Sequence, residues 1–180
     1  MLKIYITDLA AYNNGFLIGK WITLPTEDKE IKEEIKQILQ EGSKACGENQ
    51  IHEEFFISDY EWDLGIKIME IDEWENIYEL NSSLELLIDL DEYKLKAISF
   101  LFDEGITLDL EDAIIRAEDV IVHEDQTMED VAFSLIHDCY NLDDIPSVIT
   151  NHIDYEAIGN DLELDGNYTV INDDVYEYIG

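Results

Sequence analysis

The sequence of 180 residues is strongly acidic, with 44 Asp and Glu against 10 Lys and Arg and a formal net charge of −34 at pH 7. Because phosphate contacts require Lys and Arg, this composition argues against direct binding to nucleic acid. The hydrophobic fraction of 46% excludes a disordered acidic tail, which would lack the apolar surface that offsets the entropy cost of ordering. We therefore expect a folded chain whose natural counterparts are cations or a basic protein.

Residues 1–69 predict an N-terminal α+β module. The segments "KIYITDL" and "GFLIGKWITLP" are rich in strand-forming residues, and Asn-Asn-Gly between them favours a turn. A helix is predicted after Pro25, with an apolar stripe of Ile31, Ile35, Ile38 and Leu39. A loop over Gly42–Gln50 and a strand in "EEFFISDYEW" complete the module.

Residues 70–118 predict a small helical module. One helix is expected in "DEWENIYEL", where Asp72 and Glu75 have the spacing of a capping box and Trp74 shares a face with Ile77 and Tyr78. A second is expected in "EYKLKAISFLFDEG", ending at Gly105, and a third in "DLEDAIIRAEDV".

Trp21, Trp62 and Trp74 are expected in the core, because large aromatic side chains dominate burial.

Residues 119–180 predict a C-terminal α+β module. It comprises a strand in "DVIVHE", a helix capped by Thr127 with Asp130 three residues on, and a further helix whose first turn holds Pro146. Asp154 is the expected cap of the next helix, which turns Ala157, Ile158 and Leu162 inward and breaks at Gly166. Strands in "NYTVIN" and "VYEYI" follow. The fold class is thus α+β in three small modules.

The charge of the C-terminal part has one sign. After Arg116 there is no Lys or Arg, although a soluble surface normally mixes both signs. A halophilic origin is an alternative explanation. The acidic residues of this part are Glu118, Asp119, Glu124, Asp125, Glu129, Asp130, Asp138, Asp143, Asp144, Asp154, Glu156, Asp161, Glu163, Asp165, Asp173, Asp174 and Glu177.

A calcium loop is the sharpest chemical alternative. "DLELDGNYTVIN" places Asp161, Glu163 and Asp165 at positions 1, 3 and 5 of an EF-hand and Gly at position 6. Position 12 is Asn172, and the following segment predicts a strand where an EF-hand needs a helix. We therefore expect no metal or other cofactor.

Zinc and catalysis have still weaker support. His137 and Cys139 point in different directions on a helix, so we expect a surface histidine and a small buried cysteine. No nucleophile, P-loop, dinucleotide or HExxH motif is present, so an enzyme is not expected, and a hydrolase using two carboxylates is a distant alternative. Without a signal peptide, a disulfide framework or an apolar run of about 20 residues, a cytoplasmic bacterial protein away from membranes is expected.

Two blocks resemble the ArdA family of antirestriction proteins. The N-terminal "IYITDLAAYNNGFLIGKWITLP" is similar to the opening of that family, with its Tyr-Asn-x-Gly turn and Gly-x-Trp strand. The C-terminal "IPSVITNHIDYEAIGNDLELDG" is similar to its antirestriction motif, centred on Asp154-Tyr155-Glu156-Ala157 and Asp161-Leu162. The similarity covers essentially the whole chain, although the middle of the chain matches only in its general character and not in a motif.

The resemblance implies an elongated homodimer, joined through its C-terminal modules, that mimics bent B-form DNA. It implies that the protein inhibits type I restriction–modification enzymes by occupying the DNA groove of their methyltransferase core. The acidic residues after Arg116 would stand in for phosphates. The motif residues expected to pack the module and to take part in the dimer contact are Ile153, Tyr155, Ala157, Ile158 and Leu162.

Overall fold

The computed structural model describes residues 1–47 and 51–180 and confirms an α+β fold with two antiparallel sheets. The chain divides into two compact units, Met1–Leu95 and Lys96–Gly180. The division into three modules stays a prediction. No helix formed by the described residues combines the length and apolar character needed to cross a membrane.

The first unit contains a three-stranded antiparallel sheet of order β2-β1-β3. Its strands are β1 (Leu2–Asp8), β2 (Gly19–Leu24) and β3 (Phe55–Trp62). Alternate side chains of a strand point to opposite faces, and Leu2, Ile4 and Ile6 accordingly share the fully buried face of β1. Asp8, the next residue of this face, is also fully buried, so the central strand ends in a buried carboxylate.

The connection from β1 to β2 is a short helix rather than only the predicted turn. This helix, α1 (Leu9–Asn13), begins because the Asp8 carboxylate accepts a hydrogen bond of 2.9 Å from the backbone N–H of Ala11. It ends before Gly15, whose φ of +82° glycine adopts at little cost. The expected strand "GFLIGKWITLP" therefore starts only at Gly19.

Helix α2 (Asp28–Cys46) packs its stripe of Ile31, Ile35 and Ile38 against the sheet, as predicted. It is longer than expected, and the predicted loop at Gly42–Gln50 is wrong as far as Cys46. Gly42 lies on the buried face, where an added Cβ would come within 1.9 Å of a carboxylate oxygen of Asp8. Glycine thus permits close helix packing here, and residues 48–50 of the predicted loop lie outside the described part.

A buried Asp–His pair connects these elements. His52 Nδ1 lies 2.6 Å from Asp8 Oδ2, and the two side chains are 2% and 0% exposed. The other ring nitrogen of His52 is buried without a hydrogen-bond partner among the described residues. A single carboxylate therefore caps α1, contacts α2 and holds the segment that leads into β3.

Helix α3 (Ile77–Glu85) starts later than predicted. Asn76 is its N-cap, accepts hydrogen bonds from two backbone N–H groups of the first turn and donates to Glu79 at 2.8 Å. The capping box of Asp72 and Glu75 is therefore wrong. Asp72 instead accepts a hydrogen bond of 2.8 Å from the Trp74 backbone N–H and forms a turn. Helices α4 (Glu92–Asp103) and α5 (Leu110–Arg116) form as predicted.

The second unit contains an antiparallel sheet of order β4-β6-β5 packed with helices. Its strands are β4 (Val120–His123), β5 (Tyr168–Ile171) and β6 (Asp174–Tyr178). Its later helices are α6 (Met128–Cys139), α7 (Ser147–Thr150) and α8 (Tyr155–Leu164). Met128 and Val131 of α6 and Val175 of β6 form a core cluster, against which Leu162 and Tyr168 pack. All these elements are at their predicted places, except that Pro146 is the N-cap before α7 and does not lie in its first turn.

Candidate protein-binding surface

The second unit presents a surface of one sign. Residues 96–180 hold 22 Asp and Glu but only Lys96 and Arg116 as cations, a net charge of −20. Of the seventeen acidic residues after Arg116, fifteen are exposed, and only Asp174 and Glu177 on β6 are half-buried. The sequence therefore identified exposed carboxylates well, and the two exceptions follow from their places on a central strand.

Lys96 neutralises two of these carboxylates. Its Nζ lies 2.8 Å from Asp174 Oδ2 and 2.9 Å from Glu124 Oε1. Burial raises the pKa of Asp174, but hydrogen bonds from Lys96 and from the Asp125 backbone N–H, together with the charge of Lys96, outweigh burial and leave that pKa below its usual value. Asp174 and Glu124 are thus bound within the fold and are the weakest candidates for contact with a partner.

Arg116 is also engaged. Its Nε donates a hydrogen bond of 2.7 Å to Asp112 on the same helix, and an Nη lies 3.3 Å from the Tyr178 hydroxyl. Hydrogen bonds from Thr107 and then Arg116 lower the pKa of Asp112 below its usual value. Both cations of the second unit therefore hold its own elements together.

Two of the predicted carboxylates cap helices. Thr127 is the N-cap of α6, as predicted, and forms a capping box with Asp130, in which the Thr127 backbone N–H and hydroxyl donate to Asp130 Oδ2 at 2.9 and 2.7 Å. These hydrogen bonds lower the pKa of Asp130. Asp154 caps α8 by accepting a hydrogen bond of 3.0 Å from the Ala157 backbone N–H. Both remain exposed, so they combine a structural role with surface charge.

Glu177 lies in a small cluster with His123 and Tyr168. Its Oε2 is 3.6 Å from His123 Nε2. Burial, followed by the charge and hydrogen bond of Glu177, raises the pKa of Tyr168 to about 12. Since Glu177 is half-buried among these rings, it is less accessible to a partner than the carboxylates on helix α8.

Helix α8 lies within the C-terminal block that resembles the antirestriction motif. Glu156, Asp161 and Glu163 on the helix and Asp165 after it are exposed, and no hydrogen bond or ion pair engages their side chains within residues 1–47 and 51–180. Leu162 packs on the core cluster and Ile153, Tyr155 and Ile158 are half-buried, whereas Ala157 is exposed. The expectation that Ala157 faces inward is therefore wrong, because the inward stripe of α8 runs through Ile158, Gly159 and Leu162, and Ala157 lies beside that stripe.

A glycine of α8 was missed. Gly159 is the one buried residue of this helix, and a Cβ there would come within 2.6 Å of the Met128 carbonyl oxygen. Helix α8 therefore approaches the first turn of α6 more closely than any side chain allows. A glycine in the middle of an otherwise periodic helix is the available sequence signal, since it costs helix stability unless packing requires it.

An aromatic cluster connects α6 with the start of α8. The rings of Phe133 and His137 stack with centroids 3.9 Å apart, and Tyr155 lies 5.1 Å from Phe133 and 5.9 Å from His137. His137 is exposed as predicted. Cys139 is exposed as well, so its predicted burial is wrong. The buried residues of helix α6, Met128, Val131 and Ala132, all lie in its first half.

The calcium alternative lacks its loop. Asp161 and Glu163 lie within α8, where residues two apart do not face each other, and Asp165 is in helical conformation at its end. Within the described chain, no three His, Cys, Asp or Glu side chains come together as a metal site requires. Residues 161–165 are thus helical in this structure, where an EF-hand needs a loop.

The first unit has exposed aromatic rings that sequence reasoning placed in the core. Trp74 is 61% exposed and Trp21 is 43% exposed, so both predictions are wrong, whereas Trp62 is partly buried. Trp74 lies in the turn before α3, and Trp21 lies on the outer face of the edge strand β2. Strand alternation predicts the second outcome, because Ile22 and Leu24 take the inner face.

Comparison with known proteins agrees with the two sequence blocks. No curated protein matches the sequence. The model of one family, described as "Antirestriction protein (ArdA)", matches residues 4–177, which include both blocks and all but three residues of each structural unit. This match extends over nearly the whole chain. The chain therefore belongs to the ArdA family of antirestriction proteins.

Proposed function

We propose that this protein inhibits type I restriction–modification enzymes by occupying the DNA-binding groove of their methyltransferase core. The observation that carries the proposal is the one-signed surface of the second unit, where fifteen of seventeen predicted carboxylates are exposed. A groove lined with Lys and Arg would attract such a surface over long range. The protein acts in this proposal as an inhibitor without turnover.

The amount of charge fits a DNA segment. Duplex DNA carries one charge per about 1.7 Å of axis, so the net charge of −34 corresponds to about 58 Å, or roughly 17 base pairs. A symmetric dimer would double that length. Dimerisation through the second unit is part of the proposal, and the exposed Ala157 beside the half-buried Tyr155 supports a contact there.

The test is displacement of a labelled duplex from a purified type I methyltransferase core, at about 50 and about 200 mM salt, because a release of counterions makes such binding strongly salt-dependent. We expect displacement that weakens at the higher salt and does not change with millimolar calcium. No displacement at either salt concentration would overturn the proposal. No displacement combined with a melting temperature that rises only in molar salt would favour the halophilic alternative.

Variants that neutralise groups of carboxylates distinguish the effect of where the charges lie from the effect of total charge on inhibition. The variant E156Q/D161N/E163Q/D165N removes four exposed charges from the second unit, and E41Q/E53Q/E85Q/D89N removes four from the first. We expect each single change to weaken inhibition only slightly, since exposed pairs each contribute about 0–1 kcal/mol. The fourfold change in the second unit should weaken it more than its control. Equal weakening would show that only total charge matters.

A further inference from the structure

A small aromatic groove lies in the first unit between β3 and the turn that precedes α3. Its volume is about 250 Å³, and its lining includes Phe56, Glu73, Trp74, Glu75 and Tyr78. The Phe56 and Trp74 rings are 5.7 Å apart. The groove therefore joins exposed aromatic surface with two carboxylates at a place that the one-signed surface of the second unit does not include.

The turn holds the Trp74 ring outward. The Trp74 backbone N–H donates to Asp72 Oδ1 at 2.8 Å, and the Glu75 backbone N–H donates to the Asp72 carbonyl at 3.2 Å. The Ile57 backbone N–H donates to the Glu73 carbonyl at 2.9 Å, which attaches the turn to the edge strand β3. The exposure of Trp74 is thus built into the backbone and does not come from a loose loop.

The charges of the groove lack internal partners. Neither Glu73 nor Glu75 forms an ion pair within residues 1–47 and 51–180. The face of a tryptophan ring attracts a cation within about 6 Å of its centroid, and flanking carboxylates strengthen that attraction. An apolar ligand or an anion would be opposed by both glutamates, so the complementary group is a long cationic side chain.

The other exposed tryptophan provides an internal comparison. Trp21 also lies beside two glutamates, Glu30 and Glu34. Glu34 is paired with Lys20, and Glu30 accepts a hydrogen bond of 2.5 Å from the Thr26 hydroxyl. At Trp21 the fold therefore engages the carboxylates itself, whereas at Trp74 it leaves them available.

We propose that the groove at Trp74 binds an Arg or Lys side chain from a basic segment of the restriction enzyme. The inference rests on the proposed function and extends it, because it adds a specific contact to a field of charge. The cationic group stacks on the Trp74 ring, its charge lies between Glu73 and Glu75, and its aliphatic stem packs toward Phe56. This contact selects a particular side chain, which the exposed carboxylates of the second unit do not.

The first experiment measures binding without the enzyme. A labelled octapeptide of alternating Arg and Gly is titrated into the full chain, and the indole N–H resonances of the three tryptophans are followed by NMR. We expect the Trp74 signal to shift most and Trp74→Ala to weaken peptide binding about fivefold, the effect of a cation–π contact of about 1 kcal/mol. Trp21→Ala should change it less than twofold. Equal effects of the two variants would overturn the proposal.

A second pair of variants keeps the aromatic surface intact. E73Q/E75Q should weaken peptide binding, whereas the charge-matched E53Q/E54Q should do so less. Equal weakening by both variants would show that the groove contributes only general negative charge and would overturn the proposal. Circular dichroism establishes that each variant folds.

Displacement of duplex from the methyltransferase completes the test. Trp74→Ala should require about fivefold more protein for half-displacement. Unchanged displacement would show that the groove is not a contact for this enzyme. If the wild type fails to displace duplex but peptide still shifts Trp74, then the proposed function fails while the cation-binding groove remains.

Discussion

The two units hold equal numbers of acidic residues but differ in the number of cations and in how those cations are paired. Residues 1–95 carry 22 Asp and Glu with 8 Lys, a net charge of −14, whereas residues 96–180 carry 22 with 2 cations. Several lysines of the first unit form scattered exposed pairs, as between Lys3 and Asp63 or Lys29 and Glu33. The two cations of the second unit instead connect its own structural elements.

This difference teaches where each unit obtains its stability. Exposed pairs contribute little, so the first unit depends on its apolar core and on a few buried polar contacts, such as that between Asp8 and His52. The second unit must hold together against repulsion, and it does so through close packing at Gly159 and through Lys96. Substitutions at these positions should therefore have unequal effects.

The largest effect is expected for Asp8→Ala in the first unit. It leaves His52 and the Ala11 backbone N–H of the α1 cap without their acceptor, and each buried polar group left unsatisfied costs about 1–3 kcal/mol. Urea unfolding measures the loss, and hydrogen exchange should place it in residues 1–95. The control is Asp63→Ala, an exposed partner of Lys3, which should cost less than about 1 kcal/mol. Similar losses for both would refute the contrast between buried and exposed pairs.

The next effect is expected for Gly159→Ala in the second unit. The new Cβ would meet the Met128 backbone, which cannot move as a side-chain end can, and overpacking of this kind costs about 1–3 kcal/mol. Asn160→Ala, at an exposed neighbouring position, should stay within about 0.5 kcal/mol. Thermal unfolding of both variants measures the difference. A stabilised Gly159→Ala protein would mean that α8 is not held against α6.

A smaller, pH-dependent effect is expected for Asp174→Asn. Because the folded-state pKa of Asp174 lies below its usual value, its contribution is complete above an unfolded pKa of about 3.9 and is lost as the pH falls through the folded value. At pH 7 the variant should lose about 1.5 kcal/mol, as for a hydrogen bond to a charged group. Urea unfolding at pH 7, 5 and 3 should show this gap persist at pH 5 and narrow at pH 3. Asp173→Asn is the exposed control.

The smallest effect is expected for Lys29→Gln. Lys29 and Glu33 are both exposed on α2 with 3.9 Å between their charged atoms, so the loss should be about 0.3–0.5 kcal/mol and should disappear at high salt. Urea unfolding at low and high salt measures it. A loss above about 1 kcal/mol would mean that the scattered pairs of the first unit matter as much as Lys96 does in the second.

The sequence predicted most elements because their signals are local. The stripe of α2, the Thr127 and Asp130 capping box and the Asp154 cap each depend on residues within one or two helical turns. The sequence also identified the exposed carboxylates after Arg116, since charged side chains are seldom buried without partners. The exposed carboxylates of the candidate surface could therefore largely be predicted from the sequence.

The errors arose where distant residues decide. Glycine is typical of a helix end, but Gly42 lies inside α2. Glycine is needed there because Asp8 of β1 approaches too closely for a side chain. Trp74 resembles a core residue, yet its burial is prevented by a turn attached to β3. Likewise, the pairing of Lys96 with Asp174 joins residues 78 positions apart. No local pattern contains that information.

The scarcity of cations in the second unit has a consequence for proteolysis. Trypsin cleaves after Lys or Arg, and no such residue follows Arg116, so the segment from Ala117 to Gly180 contains no tryptic site even when unfolded. The two sites that precede it, at Lys96 and Arg116, are held in hydrogen bonds within the folded unit. Trypsin should thus release an intact acidic fragment that contains all seventeen carboxylates and helix α8, and proteases with other specificities will be needed to map its folding.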